Sequence, residues 1–461
     1  MKRIAPLIIS FVFIAVTFLA GCTDGEVDRG EELKEVYQTA KSSLSEAFPE
    51  DECEYTQVSE FLTNWAESGG IQVEKAEEHY TILRNPTRGG SSKDTTVLQC
   101  SVRTDKIRSD LNTLSMGLAC LLGPDKHDSI RLIVTEENDG RMIGAEKVPA
   151  EYLKCSDFIN LNGSSDYALY VSGCLTSRAT ITSSAERTAP KYANAYKINL
   201  EFGKYANPYK FNKKDNYPDP INTVGTLLAN CMSSGRLFEI ASFNSRAKEG
   251  YLPYEVSAVV VIDSNNVEGF QKKFDNSFSS VEKKFNNLEQ EFTYTMEETD
   301  MPANVLSGSA ASELISLMYT LNTGICEQDE ETGLIHAASY LKSIHTNENV
   351  TVKVDMRARD SEHIQNLQES YETTSGLCNM KYKDTEVHPV WTSSDDSELA
   401  DYFSQLVPLP ESESNIMLQA CALDIFSAKK PGLNAISYCF VKDSTKSSIK
   451  NIINYMDKSR P

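Results

Sequence analysis

The sequence predicts an α/β protein whose core is interrupted by an α+β insert. Helical patterns alternate with short apolar strands in residues 31–181 and again after residue 387, as expected for helices packed on both faces of a sheet. From about Thr182 the pattern changes to strands separated by a loop rich in Tyr, Asn, Lys and Pro. About 440 residues follow the N-terminal leader. A single hydrophobic core rarely accommodates so many residues, so two domains are expected.

Hydrophobic periodicity locates the elements of the first core part. Val58, Leu62 and Trp65 share one face of a predicted helix. Residues 132–134 form a continuous apolar run that stops at Thr135, which is typical of a buried strand. The predicted elements are helices 31–48, 57–67 and 111–122 and strands 71–74, 80–83, 95–103 and 130–135.

The insert is predicted from strand-like alternation and amphipathic helical spacing. Val350, Val352 and Val354 alternate with polar residues, which indicates a strand with one buried face. Helix–strand alternation resumes in residues 396–461. The predicted elements of the insert are strands 196–202, 237–244, 254–263 and 350–356 and helices 223–231 and 267–285.

The N-terminus resembles the signal peptide of a bacterial lipoprotein. Lys2 and Arg3 precede an apolar run over residues 4–19, and Leu-Ala-Gly-Cys follows, ending at Cys22. This lipobox-like motif implies removal of residues 1–21 and attachment of acyl chains such as palmitate to Cys22, which anchors the chain stably to a membrane. Residues 22–30 then form a tether. Thr23, where an aspartate resembles an inner-membrane retention signal, favours the outer membrane, facing the periplasm.

The charge balance excludes two classes of partner. Without residues 1–21 the chain has 43 basic and 66 acidic side chains and a net charge of −23, since only Lys2 and Arg3 are lost. Nucleic acids and anionic lipid surfaces both attract basic proteins, so neither is an expected partner.

The cysteines indicate an oxidising compartment. Ten remain beyond Cys22, an even number that predicts up to five disulfides in an exported chain. A thiolate metal site is the alternative for four of them, Cys100, Cys174, Cys421 and Cys439. The complete set is Cys53, Cys100, Cys120, Cys155, Cys174, Cys231, Cys326, Cys378, Cys421 and Cys439.

Two adjacent carboxylates, Glu136 and Glu137, follow the apolar strand 130–135 directly. The carboxyl edge of an open α/β sheet is where ligands usually bind. In a di-zinc hydrolase the first acid of such a pair serves as general base and the second as metal ligand. A solvated turn is the other interpretation of this pair.

Collinear segments along residues 33–457 resemble the aminoacyl-histidine dipeptidases, a branch of the di-zinc peptidases. The matching segments are Phe61-Leu62-Thr63-Asn64-Trp65-Ala66, Val97-Leu98-Gln99-Cys100, Thr135-Glu136-Glu137, Ile159-Asn160-Leu161-Asn162, Phe243-Asn244, Pro253-Tyr254-Glu255, residues 349–357 and Pro389-Val390-Trp391. The resemblance implies a three-layer zinc-peptidase-like core over residues 31–181 and 387–461. It also implies an inserted lid or dimerisation domain over residues 182–386.

Position by position, the resemblance implies a depleted metal centre. Glu136 matches the general base, and Glu137 and Asp110 match metal ligands. Ser101 and Arg103 stand where the family has a His-x-Asp segment, and Asn162 replaces an aspartate ligand. Asn207 and Ser444 replace a substrate-polarising histidine and a histidine ligand, and Glu249-Gly250 replaces an Arg-Asn clamp.

The six histidines fall on none of the family's ligand positions, and none has a second histidine four residues away on a helix. They are expected to be surface or packing residues. They are His79, His127, His336, His345, His363 and His388.

These observations favour a catalytically degenerate, dipeptidase-like lipoprotein of the bacterial envelope that binds a peptide or protein or has a structural role. No metal cofactor is expected. The alternative is an active metallopeptidase that uses zinc with Glu136, Glu137 and Asp110. A homodimer formed through the insert is a further expectation.

Overall fold

The computed structural model describes residues 29–85, 95–122, 129–138, 142–162, 169–202, 218–248, 251–284, 292–394, 396–407, 415–418, 421–439 and 445–458. The first core part contains α1 (Arg29–Ala47), α2 (Tyr55–Ser68), β1 (Gln72–Ala76), β2 (Tyr80–Asn85), β3 (Thr95–Arg103), α3 (Ile107–Leu122), β4 (Ser129–Glu137), α4 (Ile143–Lys147), a 3₁₀ turn (Ala150–Leu153), β5 (Asp157–Asn162), β6 (Leu169–Tyr170) and β7 (Ser172–Gly173).

The insert and the second core part follow. The next elements are β8 (Leu175–Ser184), β9 (Arg187–Thr188), β10 (Asn194–Phe202), α5 (Pro220–Ser233), β11 (Phe238–Arg246), β12 (Glu255–Ile262), α6 (Val267–Lys284), β13 (Phe292–Glu298), β14 (Val305–Leu306), α7 (Gly308–Thr320), β15 (Gly324–Gln328), β16 (Ile335–Thr346), β17 (Asn349–Ala358), α8 (Ser361–Leu377), β18 (Lys381–Asp384) and β19 (His388–Pro389). The last elements are α9 (Glu398–Leu406), β20 (Ile416–Met417), α10 (Ala422–Lys429), β21 (Ala435–Cys439) and α11 (Thr445–Lys458).

The core is a seven-stranded sheet in the order β1-β2-β4-β3-β5-β21-β6. The four central strands, β4, β3, β5 and β21, are parallel, so their carboxyl ends meet at one edge. The outer strands β2 and β6 run antiparallel to them. Strand β21 comes from the second core part, which places residues before and after the insert in one sheet.

Helices cover both faces of this sheet and make the core three-layered. On one face α1, α2, α3, α9 and α11 pack around buried side chains that include Leu98 and Leu132. On the other face α4 and α10 pack against residues that include Val97 and Ile133. Successive residues of β3 and β4 thus point to opposite helical layers, which is why their middle segments, such as Val97-Leu98 and residues 132–134, are apolar on both faces.

The insert is built on a six-stranded and a four-stranded sheet. The first has the order β15-β16-β17-β8-β18, with β19 also paired to β8, and the second has the order β11-β12-β10-β13. Their buried side chains form one continuous cluster with those of α5, α6, α7 and α8. Strand β8 begins at Leu175 and pairs along its whole length with β17, so it crosses the boundary between residues 181 and 182, where the sequence places the start of the insert.

Local capping signals explain the starts of five helices. Glu54 and Gln57 form a capping box before α2, and Asp219 caps α5 ahead of Pro220. Ser307, Asp360 and Ser397 cap α7, α8 and α9 through side-chain oxygens. The predicted α/β architecture is confirmed, and each helix and strand predicted above overlaps an observed one. Among the described residues, no helix is long and apolar enough to cross a membrane.

The expected disulfides are absent, which corrects that prediction. All ten cysteines beyond Cys22 lie in described segments as free thiols. Most of them pack as small apolar side chains, and Cys100, Cys120, Cys174, Cys231 and Cys439 are almost fully buried. Burial raises the pKa of Cys174 to about 12, which disfavours the thiolate that a metal site needs.

Candidate functional site

The candidate site lies at the carboxyl edge of the four parallel core strands. Strand β3 ends at Arg103, β4 at Glu137 and β5 at Asn162. The register pairs Arg103 with Glu137 across β3 and β4, so two residues that the sequence singles out are neighbours. This edge therefore collects the residues expected at a peptidase centre.

Arg103 and Asp110 form a bidentate ion pair at the turn from β3 into α3. The Arg103 guanidinium donates from Nη2 to Asp110 Oδ1 at 2.6 Å and from Nε to Oδ2 at 3.0 Å. The Arg103 backbone N–H adds a third hydrogen bond to Oδ2 at 2.8 Å. Both carboxylate oxygens of Asp110 are therefore engaged by one cation of the protein itself.

The ion pair is largely withdrawn from water. The Asp110 side chain is 12% exposed and that of Arg103 is 34% exposed. Burial raises the pKa of the Asp110 carboxyl, while the hydrogen bonds and charge of Arg103 act in the opposite direction. Burial also lowers the pKa of the Arg103 guanidinium, but Asp110, Glu137 and Asp105 raise it above its ordinary value. Arg103 thus carries the positive charge around which these acids are arranged.

Glu136 is enclosed and has a partner on each carboxylate oxygen. Its Oε2 lies 2.5 Å from His79 Nδ1, and its Oε1 accepts a hydrogen bond from Thr104 Oγ1 at 3.3 Å. The side chain is only 8% exposed. A general base must reach a water or substrate proton, and in this arrangement both oxygens are already occupied.

Helix α4 packs against the backbone beside Glu136. A Cβ on Gly144 would lie 2.2 Å from the His79 carbonyl oxygen and 2.4 Å from the Glu136 backbone nitrogen. The absence of a side chain at Gly144 therefore allows α4 to lie directly on the end of β4. Gly144 therefore has a packing role at the end of β4.

His79 is a site residue that the sequence analysis treated as a surface or packing histidine. It lies just before β2, whose first residue Tyr80 pairs with Thr135 in the antiparallel register. This pairing places His79 beside Glu136, and the Glu136 N–H donates to the His79 carbonyl at 2.9 Å. Only the order of the strands reveals this proximity, because the two residues are far apart in the sequence.

A row of uncharged polar side chains crosses the sheet below the edge. Ser437 donates to Asn160 at 2.8 Å, the Asn160 amide donates to Gln99, and Gln99 donates to Thr135 at 3.0 Å. Ser101 joins this row through Gln99 at 3.1 Å and lies 3.4 Å from Thr135 Oγ1. These buried groups satisfy one another, and Ser101 takes part in the network as a hydroxyl.

The donors at this edge do not fit a pair of zinc ions. Zinc takes thiolate, imidazole and carboxylate ligands. Here Asp110 is bound by Arg103, Glu136 is bound by His79 and Thr104, and Gln99, Asn160 and Asn162 offer amides. A dication near Asp110 would also meet the charge of the Arg103 guanidinium. Asn162, half-buried at the end of β5, adds no negative charge.

Several predicted positions lie outside the described residues. These are Cys22, Asn207, the Glu249-Gly250 pair and Ser444. Their expected roles stay predictions.

Fold and site together define an α/β protein with a three-layer core, an inserted α+β domain and polar and charged residues at the carboxyl edge of its sheet. No family model matches the chain, and no curated protein is significantly similar to it. Solved structures that resemble it over nearly its whole length include several peptidases. An aminoacylhistidine dipeptidase from Vibrio alginolyticus is 15% identical, with 92% of this chain and 96% of that chain covered and a TM-score of 0.49.

Two further structures show a similar extent of overlap. The aminopeptidase PepT from Bacillus cereus is 9% identical, with 91% of this chain and 96% of that chain covered and a TM-score of 0.40. The YXEP protein of Bacillus subtilis, described as a dinuclear metal binding peptidase from the M20 family, is 9% identical, with coverages of 92% and 96% and a TM-score of 0.38. With TM-scores below 0.5, these similarities assign none of the reactions of those proteins to this chain.

Proposed function

We propose that the chain is a catalytically degenerate relative of the di-zinc dipeptidases that works by binding or as a structural element. It would be anchored through acyl chains on Cys22 in the bacterial envelope, on the outer membrane and facing the periplasm. The observation that carries the proposal is the ion pair between Arg103 and Asp110. The guanidinium takes the carboxylate that a di-zinc centre would use as a bridge between its metals.

Electrostatics explain why this ion pair favours a degenerate site. Two dications about 4 Å apart repel each other and need several anionic ligands around them. At this edge Arg103 adds a positive charge, and Ser101 and Asn162 replace ligands of the family with neutral groups. Of the remaining acids, Glu136 is held by His79 and Thr104, and Glu137 lies beside Arg103 in the strand register.

The cleft between core and insert is the proposed binding place for a peptide or a partner protein. Contacts from the insert to the core support a braced arrangement. Arg357 on β17 donates to Asp424 on α10 at 3.2 Å, and Lys248 lies 3.2 Å from Glu146 on α4. The Tyr251 hydroxyl accepts a hydrogen bond from the Met142 N–H at 2.7 Å. A preformed cleft binds a ligand without first paying an ordering cost.

Metal content and peptide hydrolysis, measured on the same purified sample, test the proposal. We expect no hydrolysis of Xaa-His dipeptides, with or without added zinc, and no di-metal stoichiometry at the core. An active aminoacylhistidine dipeptidase, assayed in parallel, serves as the positive control. About two zinc ions per chain together with Xaa-His hydrolysis would overturn the proposal, since a di-metal hydrolase requires both.

An active metallopeptidase with a remodelled site is the second candidate, favoured by the retention of Glu136, Glu137 and Asp110 at one edge. This candidate function predicts that the parent protein hydrolyses peptides and that Glu136→Gln abolishes the hydrolysis. The Glu255→Gln variant in the insert should stay active. Absence of hydrolysis by the parent with zinc, manganese or cobalt rejects it. Self-association through the insert is a separate expectation, which sedimentation velocity of the full chain tests.

A further inference from the structure

Two histidines of the insert lie face to face on the side of the six-stranded sheet. His336 is the second residue of β16, and His363 lies in the first turn of α8. Their rings are parallel to within 6°, with centroids 4.6 Å apart. Both residues are partly exposed, so the ring edges are accessible from solvent.

Carboxylates flank this pair of rings. Asp360 Oδ1 and Oδ2 lie 2.6 and 2.7 Å from His363 Nδ1, and Glu327 Oε1 on β15 lies 3.3 Å from His363 Nε2. Ligand atoms of His336, Asp360 and His363 all lie within 4.8 Å of one another. Two imidazoles and the Asp360 carboxylate therefore converge at one place, and Glu327 lies at the other ring nitrogen of His363.

The fold assembles this cluster through two local features. The Arg359 N–H donates to the His336 carbonyl at 2.9 Å, which sets the start of β16 beside the end of β17. Asp360 then caps α8 by accepting from the His363 N–H at 3.0 Å, which turns His363 back toward His336. The neighbouring Arg359 guanidinium donates hydrogen bonds to the carbonyl oxygens of Ile335 and Ile416.

We propose that this cluster binds one divalent transition-metal ion of the zinc class. His336 and His363 supply nitrogen ligands, and Asp360 and Glu327 supply the negative charge. The 3.3 Å between His363 Nε2 and Glu327 Oε1 matches the roughly 3.3 Å between ligands that tetrahedral zinc with bonds of about 2.0–2.1 Å requires. Helix capping accounts for the contact between Asp360 and His363 alone. It leaves the stacked position of His336 and the approach of Glu327 unexplained, whereas a metal bound to Nε2 of His363 accounts for both, with Asp360 orienting that imidazole through Nδ1.

Bound metal would connect the β15–β16 hairpin to the start of α8. Helix α8 packs over β17 and β8, so the ion would hold the edge of the insert sheet to its covering helix. Binding to the folded state alone raises its stability by mass action. This site is separate from the carboxyl edge of the core sheet and is independent of any catalytic role there.

Titration of the metal-free full chain with Zn²⁺ alone, in competition with a chromophoric chelator, tests the site. We expect one zinc per chain and a thermal unfolding midpoint that rises with zinc. His336→Ala and His363→Ala should each weaken binding by more than the roughly 10- to 100-fold cost of changing an outer-shell partner. His345→Ala, on the same strand but outside the cluster, is the matched control and should bind as the parent does.

A second pair of variants keeps the test decisive if an alanine variant fails to fold. Asp360→Asn keeps a capping side chain and Glu327→Gln keeps the side-chain volume, and both remove negative charge, so both should weaken zinc binding. Absorption of the Co²⁺ form should change in the histidine variants and stay the same in His345→Ala. No zinc binding by the parent would overturn the proposal, as would undiminished binding in a folded double variant at His336 and His363. Zinc at the core edge would instead survive in that double variant.

Discussion

The carboxyl edge of the core sheet and the histidine cluster of the insert hold acidic side chains with different sets of partners. At the core edge, Asp110 is held by the Arg103 guanidinium and Glu136 by His79 and Thr104. In the insert, the carboxylates of Asp360 and Glu327 lie against the ring nitrogens of His363 instead. The two regions differ in that a guanidinium occupies Asp110 at the core edge, whereas in the insert a second imidazole, His336, stacks on His363 beside the carboxylates.

A buried acid elsewhere in the insert extends this comparison. Asp219 at the start of α5 accepts hydrogen bonds from the backbone N–H groups of Asn222 and Leu341. Its burial raises its pKa to about 6, whereas Asp110 has a guanidinium as its partner. Position at a sheet edge therefore does not by itself make a carboxylate reactive. Its partners decide whether it is neutralised by a cation, by a proton or by a metal.

The strongest test of the core edge removes its cation. Arg103→Ala would leave Asp110 buried without its charge partner. Breaking a buried pair costs about 3–5 kcal/mol, and the partial exposure of Arg103 places our expectation at about 3–4 kcal/mol of unfolding free energy. Urea denaturation at pH 7 measures it. Arg246→Ala is the matched control, because that arginine is 71% exposed beside Glu255 and should cost less than about 1 kcal/mol. Equal losses in the two variants would contradict the central role of Arg103.

Asp219 in the insert offers a test of an acid that is neutralised by a proton instead of a guanidinium. Asp219 has a folded-state pKa of about 6 against an ordinary 3.8, so the folded chain binds more protons than the unfolded chain between these values. Its contribution to stability is therefore complete below about pH 4 and is lost as the pH rises to about 6. The loss amounts to about 3 kcal/mol at most, at 1.4 kcal/mol for each pKa unit.

Asp219→Asn removes this titration while keeping a residue that caps helices well. We expect the stability difference between parent and variant to shift against the parent as the pH rises from 4 to 7. Urea denaturation across that range measures the shift. Asp329→Asn is the control of opposite sign, because hydrogen bonds from Thr332 lower the pKa of Asp329. A flat difference for Asp219→Asn would contradict the raised pKa.

The sequence predicted the core better than it predicted the contacts at the site. Apolar runs and helical periodicity located β3, β4 and α3, because burial on both sheet faces leaves a strong pattern. The proximity of Arg103 and Asp110 also follows from sequence, since one short strand-to-helix turn separates them. In contrast, His79 meets Glu136 only through the antiparallel pairing of β2 with β4, and no local pattern encodes which strands become neighbours.

The histidine cluster could not be predicted for the same reason. His336 and His363 show no metal-binding spacing along the chain, because β17 and the start of α8 separate them. The disulfide prediction was wrong for a different reason. An even cysteine count carries no information about distance, and the chain uses these residues as small buried side chains.

The smallest expected effect concerns a hydrogen bond that joins the insert to the core. Tyr251 of the insert is buried, and its hydroxyl accepts the hydrogen bond from the Met142 N–H just before α4. Tyr251→Phe keeps the ring and leaves that N–H without this acceptor, which should cost about 1–2 kcal/mol in urea denaturation. Tyr319→Phe, at a tyrosine that is 67% exposed, should change stability by less than about 0.5 kcal/mol.

Because α4 lies directly on the end of β4 at Gly144, a weakened Tyr251 contact should loosen the enclosure of Glu136 as well. Hydrogen exchange at the Glu136 amide would then rise in Tyr251→Phe and stay unchanged in Tyr319→Phe, and equal exchange in both would show that the core edge is closed without help from the insert.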